Sequence, residues 1–173
     1  MTDTRKGVKG SVFYRKHGNT YFIRFVGDMR YNEMSRSLDE FLDKLFQRRD
    51  FDGIVVDLIE AKFIDSTNLG LLAKIARFIS KQFGKKTTLI STNEDINALL
   101  DNMGFSEVFT ISRVRQPVDT GQEQELVISA PRQEDLAKTV LESHGILCDM
   151  NETNREKFTG VVKILKQQTA DKF

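Results

Sequence analysis

The residues whose types and spacing could do chemistry gather in one short run, Phe63-Ile64-Asp65-Ser66-Thr67-Asn68-Leu69-Gly70. It lies between an apolar stretch and the start of an amphipathic one, so Asp65, Ser66 and Thr67 fall where a helix should begin. Side chains of these types accept hydrogen bonds from the first free N–H groups of a helix, and that is their plain structural role. The position has a second capability. Unpaired N–H groups and the positive end of the helix dipole accommodate a phosphate, and a phosphoserine would add roughly −1.5 to −2 charges while leaving the fold intact. A partner docked on the neutral loop would then meet a dianion. A hundredfold loss of binding needs about 2.7 kcal/mol, less than the penalty typical of an unpaired charge forced into an interface.

Other chemistry is poorly represented. His17 and His144 are the two histidines, and both stand far along the chain from any Ser or Cys motif. A hydrolase using Ser66 as nucleophile therefore lacks a neighbouring His base. Asp57, Glu60 and Asp65 near strand ends read as caps or solvated loop groups. There is no Cys/His cluster with zinc spacing, no G-x-x-x-x-G-K-[ST] loop and no G-x-S-x-G elbow. The residues point to no catalysis, no metal, no cofactor and no small-molecule substrate.

The bulk properties agree with a binding protein. Lys+Arg 26 against Asp+Glu 25 leaves a net charge of +1, without the clustered basic face that nucleic acid requires. No apolar run has the length of a membrane span, and the polar Met1 to Gly7 segment lacks the apolar stretch of a secretory signal. The single Cys148 permits no internal disulfide, so a reducing cytoplasm is the expected location. At 173 residues the chain can bury one sizeable core.

The elements that must position Ser66 follow from periodicity. Residues 11–26 read as a hairpin turning at Gly18-Asn19, with Gly27-Asp28-Met29-Arg30 breaking its second strand. Met34, Leu38, Phe41, Leu42, Leu45 and Phe46 make one helical stripe; Ser37 and Glu40 have capping-box spacing, with Asn32 as the alternative cap. Gly53 to Leu58 suits a strand covered on both faces. A helix from Thr67 to Phe83 ends at Gly84, Lys86 to Ile90 is a strand, Glu94 to Asn102 a short helix before Gly104, and Val108 to Ile111 a last strand. This β-β-α-β-α-β-α-β order over 11–112 gives an α/β fold, a mixed sheet with helices packed against it. Residues 1–10 read as a tail and 113–131 as a polar linker, in which Leu126-Val127-Ile128 has strand character. Residues 132–173 form a helical extension, with helices over Gln133 to His144, before Gly145, and over Asn151 to Gln168.

The run Phe63 to Gly70, together with the element order, resembles the STAS-domain anti-sigma factor antagonists, bacterial regulators in which an Asp-Ser-Thr/Ser loop opens the second helix. The resemblance implies that Ser66 is phosphorylated by a serine kinase, often itself the anti-sigma factor, and that a serine phosphatase reverses the modification. It implies further that the unphosphorylated protein sequesters the anti-sigma factor. Many members carry Gly where this chain has Asn68. The loop after the second strand corresponds to Gly27-Asp28-Met29-Arg30 and places Asp28 on the docking face with Asp65, Thr67, Asn68 and Leu69. The run Asn151 to Phe158 resembles the helical extension of HsbA-like antagonists.

On the Thr67 to Phe83 helix, Leu71, Ile75 and Phe78 fall on a sector apart from the main stripe of Leu69, Leu72, Ala73, Ala76, Ile79 and Phe83. Two readings stand: the C-terminal helices cover them, or they extend the docking face. A different function, a non-phosphorylated STAS subunit of a membrane transport or lipid-trafficking complex, uses a similar fold and gives a kinase nothing to modify.

Overall fold

The computed structural model describes residues 7–31, 33–115 and 121–171. Its strands and helices run in the order β1 (Ser11–His17), β2 (Thr20–Met29), α1 (Glu33–Leu45), β3 (Gly53–Ile64), α2 (Ser66–Phe83), β4 (Thr87–Ile90), α3 (Glu94–Asn102), α4 (Phe105–Val108), β5 (Phe109–Ser112), β6 (Gln124–Glu125), α5 (Gln133–Met150) and α6 (Glu152–Ala170). The strands form one sheet in the order β5-β4-β3-β2-β1-β6. The β1–β2 hairpin is antiparallel, and β2, β3, β4 and β5 pair in parallel through the crossovers that α1, α2 and α3 provide. Along β2, Tyr21, Ile23, Phe25, Gly27 and Met29 are buried, while the residues between them are half-buried. Strict alternation of this kind gives the sheet one fully packed face.

Two strands run further than the sequence predicts. The hairpin's second strand continues through Gly27 to Met29 instead of breaking there, because Gly27 adopts φ +79° beside a register shift. A Cβ at Gly27 would lie 2.8 Å from the Val8 carbonyl oxygen, so only glycine fits this bulge. The third strand runs beyond Leu58 to Ile64, since Ala61 and Ile64 supply further buried positions. These extensions carry the ends of β2 and β3 side by side to the start of α2.

Helix α2 packs against β3, β4 and α1, and α5 lies across α2 and α1 with α6 against it. Glycine at 145 does not end α5: the helix continues to Met150 because Ile146 and Leu147, just beyond it, are buried. Burial of two such side chains outweighs the roughly 1 kcal/mol that a helical glycine costs. The turn α4 between Gly104 and β5 has no counterpart in the sequence reading; Phe105 is fully buried and stacks on Phe109 at 5.5 Å. Within 113–131, Gln124–Glu125 adds an edge strand to β1, and Glu123 closes on Arg24 with its nearest contact at 2.6 Å. Ser37 lies inside α1, where its hydroxyl accepts from Ser129 N–H at 3.2 Å, so it is not a cap; Asn32 lies outside the described residues. No described helix is long and apolar enough to cross a membrane.

Candidate functional site

Parallel strands deliver their carboxyl ends to one edge of the sheet, and β2 and β3 meet there through Asp65 N–H donating to the Met29 carbonyl at 3.0 Å. The chain then turns into α2. Asp65 is the N-cap, in extended backbone geometry (φ −87°, ψ 173°), and its carboxylate accepts from Asn68 N–H at 3.0 Å. The same carboxylate accepts from Tyr31 N–H, which ties down the loop that follows β2. With Asp65 doing the capping, Ser66 is the first residue of an 18-residue helix and its hydroxyl has no backbone duty.

Asn68 organises this corner. It is 1% exposed, its amide donates to the Met29 carbonyl at 3.1 Å and to Asp65 at 2.9 Å, and its carbonyl accepts from the Ser35 hydroxyl at 3.2 Å. One side chain thus fastens the end of β2, the cap of α2 and the first turn of α1. Thr67 and Leu69 are likewise buried. At the surface, Asp28 pairs with Arg30 at 3.5 Å, and the Arg30 guanidinium lies over the Phe63 ring at 4.2 Å. The structure therefore brings Asp28, Asp65 and Ser66 together at one edge, with Thr67, Asn68 and Leu69 beneath them.

Leu71, Ile75 and Phe78 belong to a different side of α2. Lys74, between them, reaches Asp39 and Asp43 of α1 at 2.6 Å each, and Phe78 stacks on Phe46 at 4.0 Å. Leu71 and Ile75 are 1% and 0% exposed, in the sector that faces α1. The side of α2 that α5 covers is instead the line of Ser66, Gly70 and Ala73. A Cβ on Gly70 would stand 2.4 Å from the Ser143 carbonyl oxygen, which measures how closely the two helices approach.

The largest departure from the sequence reading is His144. Its Nε2 lies 2.9 Å from the Ser66 hydroxyl oxygen, so a histidine does stand next to the serine. The other ring nitrogen, Nδ1, lies 2.7 Å from the Val140 carbonyl oxygen, one turn back on α5. A carbonyl only accepts, so Nδ1 carries a proton, and in the neutral imidazole Nε2 accepts from the Ser66 O–H. Nothing in the local sequence of either residue signals the pairing, which exists only because α5 folds back over α2.

A second polar cluster joins the same helices. Asp39 is 1% exposed; besides Lys74 it accepts from the Thr139 hydroxyl of α5 at 3.0 Å, and Arg36 lies 3.6 Å away. Burial opposes the charge of Lys74, but its hydrogen bonds to Asp39 and Asp43 outweigh that and raise its pKa. Across the sheet, burial pushes the Asp57 carboxyl up, against a hydrogen bond from Ile59 N–H and the charge of Arg24. Among the described residues no three His, Cys, Asp or Glu side chains converge to hold a metal.

A STAS domain profile matches residues 12–120, more than half of the chain. The chain belongs to the STAS domain family. The STAS fold is shared with a solved structure of the anti-sigma factor antagonist SpoIIAA in its unphosphorylated form, at a TM-score of 0.51 and 14% identity over 59% of this chain and 87% of that one. The Bacillus cell fate determinant SpoIIAA in its phosphorylated form aligns at a TM-score of 0.49 and 14% identity, over 59% of this chain and 90% of that one. No curated protein matches the chain. Helices α5 and α6 lie beyond the matched STAS residues, so His144 comes to Ser66 from outside the part of the chain that defines the family.

Proposed function

We propose that this STAS protein is an anti-sigma factor antagonist, a non-enzymatic binding switch that sequesters an anti-sigma factor when unphosphorylated and releases it when Ser66 is phosphorylated. The observation that carries the reading is the division of labour at the start of α2. Asp65 caps the helix, so the Ser66 hydroxyl, whose contact is with His144, can be modified at no cost to the cap. The first turn of α2 offers a phosphate the same dipole that any helix start does. The partners are a serine kinase, which can itself be the anti-sigma factor, and a serine phosphatase, and the setting is the bacterial cytoplasm.

The docking surface centres on Asp28, Asp65 and Ser66. Thr67, Asn68 and Leu69 shape it from below; Leu71, Ile75 and Phe78 act through the packing of α1. In this reading 11–112 is the binding unit, 113–131 joins it to the extension, and 132–173 is the helical extension. The likeness of Asn151 to Phe158 to HsbA-like antagonists supports assigning the chain to that subgroup.

The test compares wild type, Ser66→Ala and Ser66→Asp as bait in lysate, with captured proteins assayed for sigma-factor binding. A sigma-binding partner held by wild type and Ser66→Ala but lost with Ser66→Asp is expected, with a phosphate on wild type from native cells by intact mass. Equal recovery by all three baits would refute the switch.

A further inference from the structure

Beside the modifiable hydroxyl stands a side chain that can answer a phosphate's charge. We propose that His144 is the phosphate-holding residue of the modified protein: its imidazolium Nε2–H pairs with a phosphate on Ser66, so that the α5–α6 extension fixes the phosphate at the docking edge. The inference rests on Ser66 being the modified residue, and gives the C-terminal helices their role.

Histidine suits the task because a neighbouring anion is enough to protonate it near neutral pH. Its Nε2 already lies 2.9 Å from the Ser66 oxygen, and Nδ1–H is committed to the Val140 carbonyl at 2.7 Å. The ring therefore has one nitrogen left, and it faces the serine. In the unmodified chain that nitrogen accepts from the hydroxyl. Phosphorylation esterifies the oxygen and removes its proton, while a proton taken up by Nε2 restores a donor opposite the new acceptor oxygens. His144 is 6% exposed, so an imidazolium here needs a counter-charge, which the phosphate supplies.

The backbone around His144 is held by contacts that the phosphate does not touch. Its ring meets Phe158 of α6 edge-on at 5.5 Å, and Gly70 admits Ser143 so closely that a Cβ there would stand 2.4 Å from the Ser143 carbonyl oxygen. Thr139 donates to Asp39 at 3.0 Å, and Asn151 and Asn154 donate to the Met103 carbonyl at 3.2 and 3.0 Å. The charged groups on the surrounding elements are already engaged. Asp65 precedes Ser66, and its carboxylate is taken by the Asn68 and Tyr31 N–H groups. Arg36 of α1 lies 3.4 Å from Thr139 and is taken by Asp39 and Glu40. On α5 and α6, Lys138 pairs with Glu142 at 3.9 Å and Arg155 with Glu152 at 2.9 Å. One turn beyond His144, burial pushes the Cys148 thiol up, which keeps it neutral. Among the described residues no carboxylate pairs with His144, so its counter-charge is open to the phosphate.

The arrangement fits the switch in both states. Asp28, Asp65 and Ser66 are all half-buried, so α5 lies beside the docking edge and leaves it open in the unmodified chain. Rotation about the serine Cα–Cβ bond turns a phosphate toward that open side, with one of its oxygens still within reach of Nε2. The dianion and the imidazolium together keep a net charge of about −1, now fixed where a partner would sit. The extension stays docked throughout and gains an ion pair on modification.

The experiment uses the full chain with phosphoserine installed at position 66 during translation, beside the same phosphorylated chain carrying His144→Gln, which keeps a hydrogen-bonding amide and cannot be charged. In phosphorus NMR the phosphate beside His144 is expected to ionise at a pH lower by about half a unit or more than in His144→Gln. Nitrogen NMR at pH 7 is expected to show both ring nitrogens of His144 protonated in the phosphorylated chain. Equal phosphate midpoints in the two chains, or an imidazole left with a single proton, would overturn the proposal. The nitrogen spectrum needs no variant, so it decides the matter even where His144→Gln folds poorly. Neither readout needs a partner. Pairing without partner switching in the bait experiment would refute the antagonist reading alone; switching without pairing would refute the role of His144 alone.

Discussion

Ser66 and His144, 78 positions apart, share a hydrogen bond of 2.9 Å in which the serine donates to the neutral imidazole. The pair has the outline of a nucleophile and its base, yet its surroundings differ from those of a catalytic pair. His144 is oriented by a carbonyl of its own helix. Two clefts among the described residues, of about 350 and 380 Å³, are lined by neither residue. The first lies between α2 and α5 beyond Ala73, and the second between the outer ends of α5 and α6.

A latch and a catalytic dyad predict different kinetics. Wild type should hydrolyse p-nitrophenyl acetate no faster than Ser66→Ala, and His144→Ala should loosen α5 without altering that background rate. Burst-phase release of nitrophenol from wild type, absent in Ser66→Ala, would make the serine a nucleophile.

Asn68 fills a position where many STAS antagonists have glycine, and here it spans three elements. Replacing it by glycine removes those bonds, leaves the buried Ser35 hydroxyl with the longer contact to the Arg30 carbonyl at 3.3 Å, and adds backbone freedom to the first turn of α2. Asn68→Gly is expected to lower stability by about 2–3 kcal/mol in urea unfolding. A change below about 0.5 kcal/mol would show that the corner is held by Asp65 alone.

Much of the fold was legible because its signals are local. The hairpin turn at Gly18-Asn19, the α1 stripe from Met34 to Phe46 and the end of α2 at Gly84 all stand close to where the residues place them. The start of α2 was legible too, though which of Asp65, Ser66 and Thr67 caps it depends on backbone geometry. Features set by distant partners were not readable. Gly145 reads as a helix stop and is overruled by the burial of Ile146 and Leu147. Leu71 and Ile75 form a separate apolar sector, but helical spacing cannot say that α1, rather than α5 or a partner, lies over it. The one available hint of the α2–α5 contact is Gly70 inside a helix, a residue that marks close approach without naming the neighbour.

The buried cluster of Asp39, Lys74, Arg36 and Thr139 fastens α5 to both α1 and α2. Asp39→Ala would leave two cations facing each other at the helix junction with no buried carboxylate between them. A loss of about 3–5 kcal/mol is expected, whereas Thr139→Val, which removes only the hydroxyl, should cost about 1 kcal/mol. Comparable small losses from both would mean that water replaces the carboxylate readily, and that the cluster contributes little to holding α5.

Asp57 gives the clearest pH dependence. It is 6% exposed, and burial raises its pKa above the usual aspartate value, with a hydrogen bond from Ile59 N–H at 2.9 Å acting the other way. A carboxyl whose folded-state pKa is raised contributes stability that is present below the unfolded value and is lost as pH rises through the folded value. Asp57→Asn keeps an oxygen to accept from Ile59 and removes the buried charge. The variant should match wild type at pH values well below the usual aspartate range and be the more stable of the two at neutral pH, with the difference developing across the interval between the two pKa values. Urea unfolding of both proteins across that interval measures it. A variant less stable than wild type at neutral pH would show that attraction to Arg24 outweighs the cost of burying the charge.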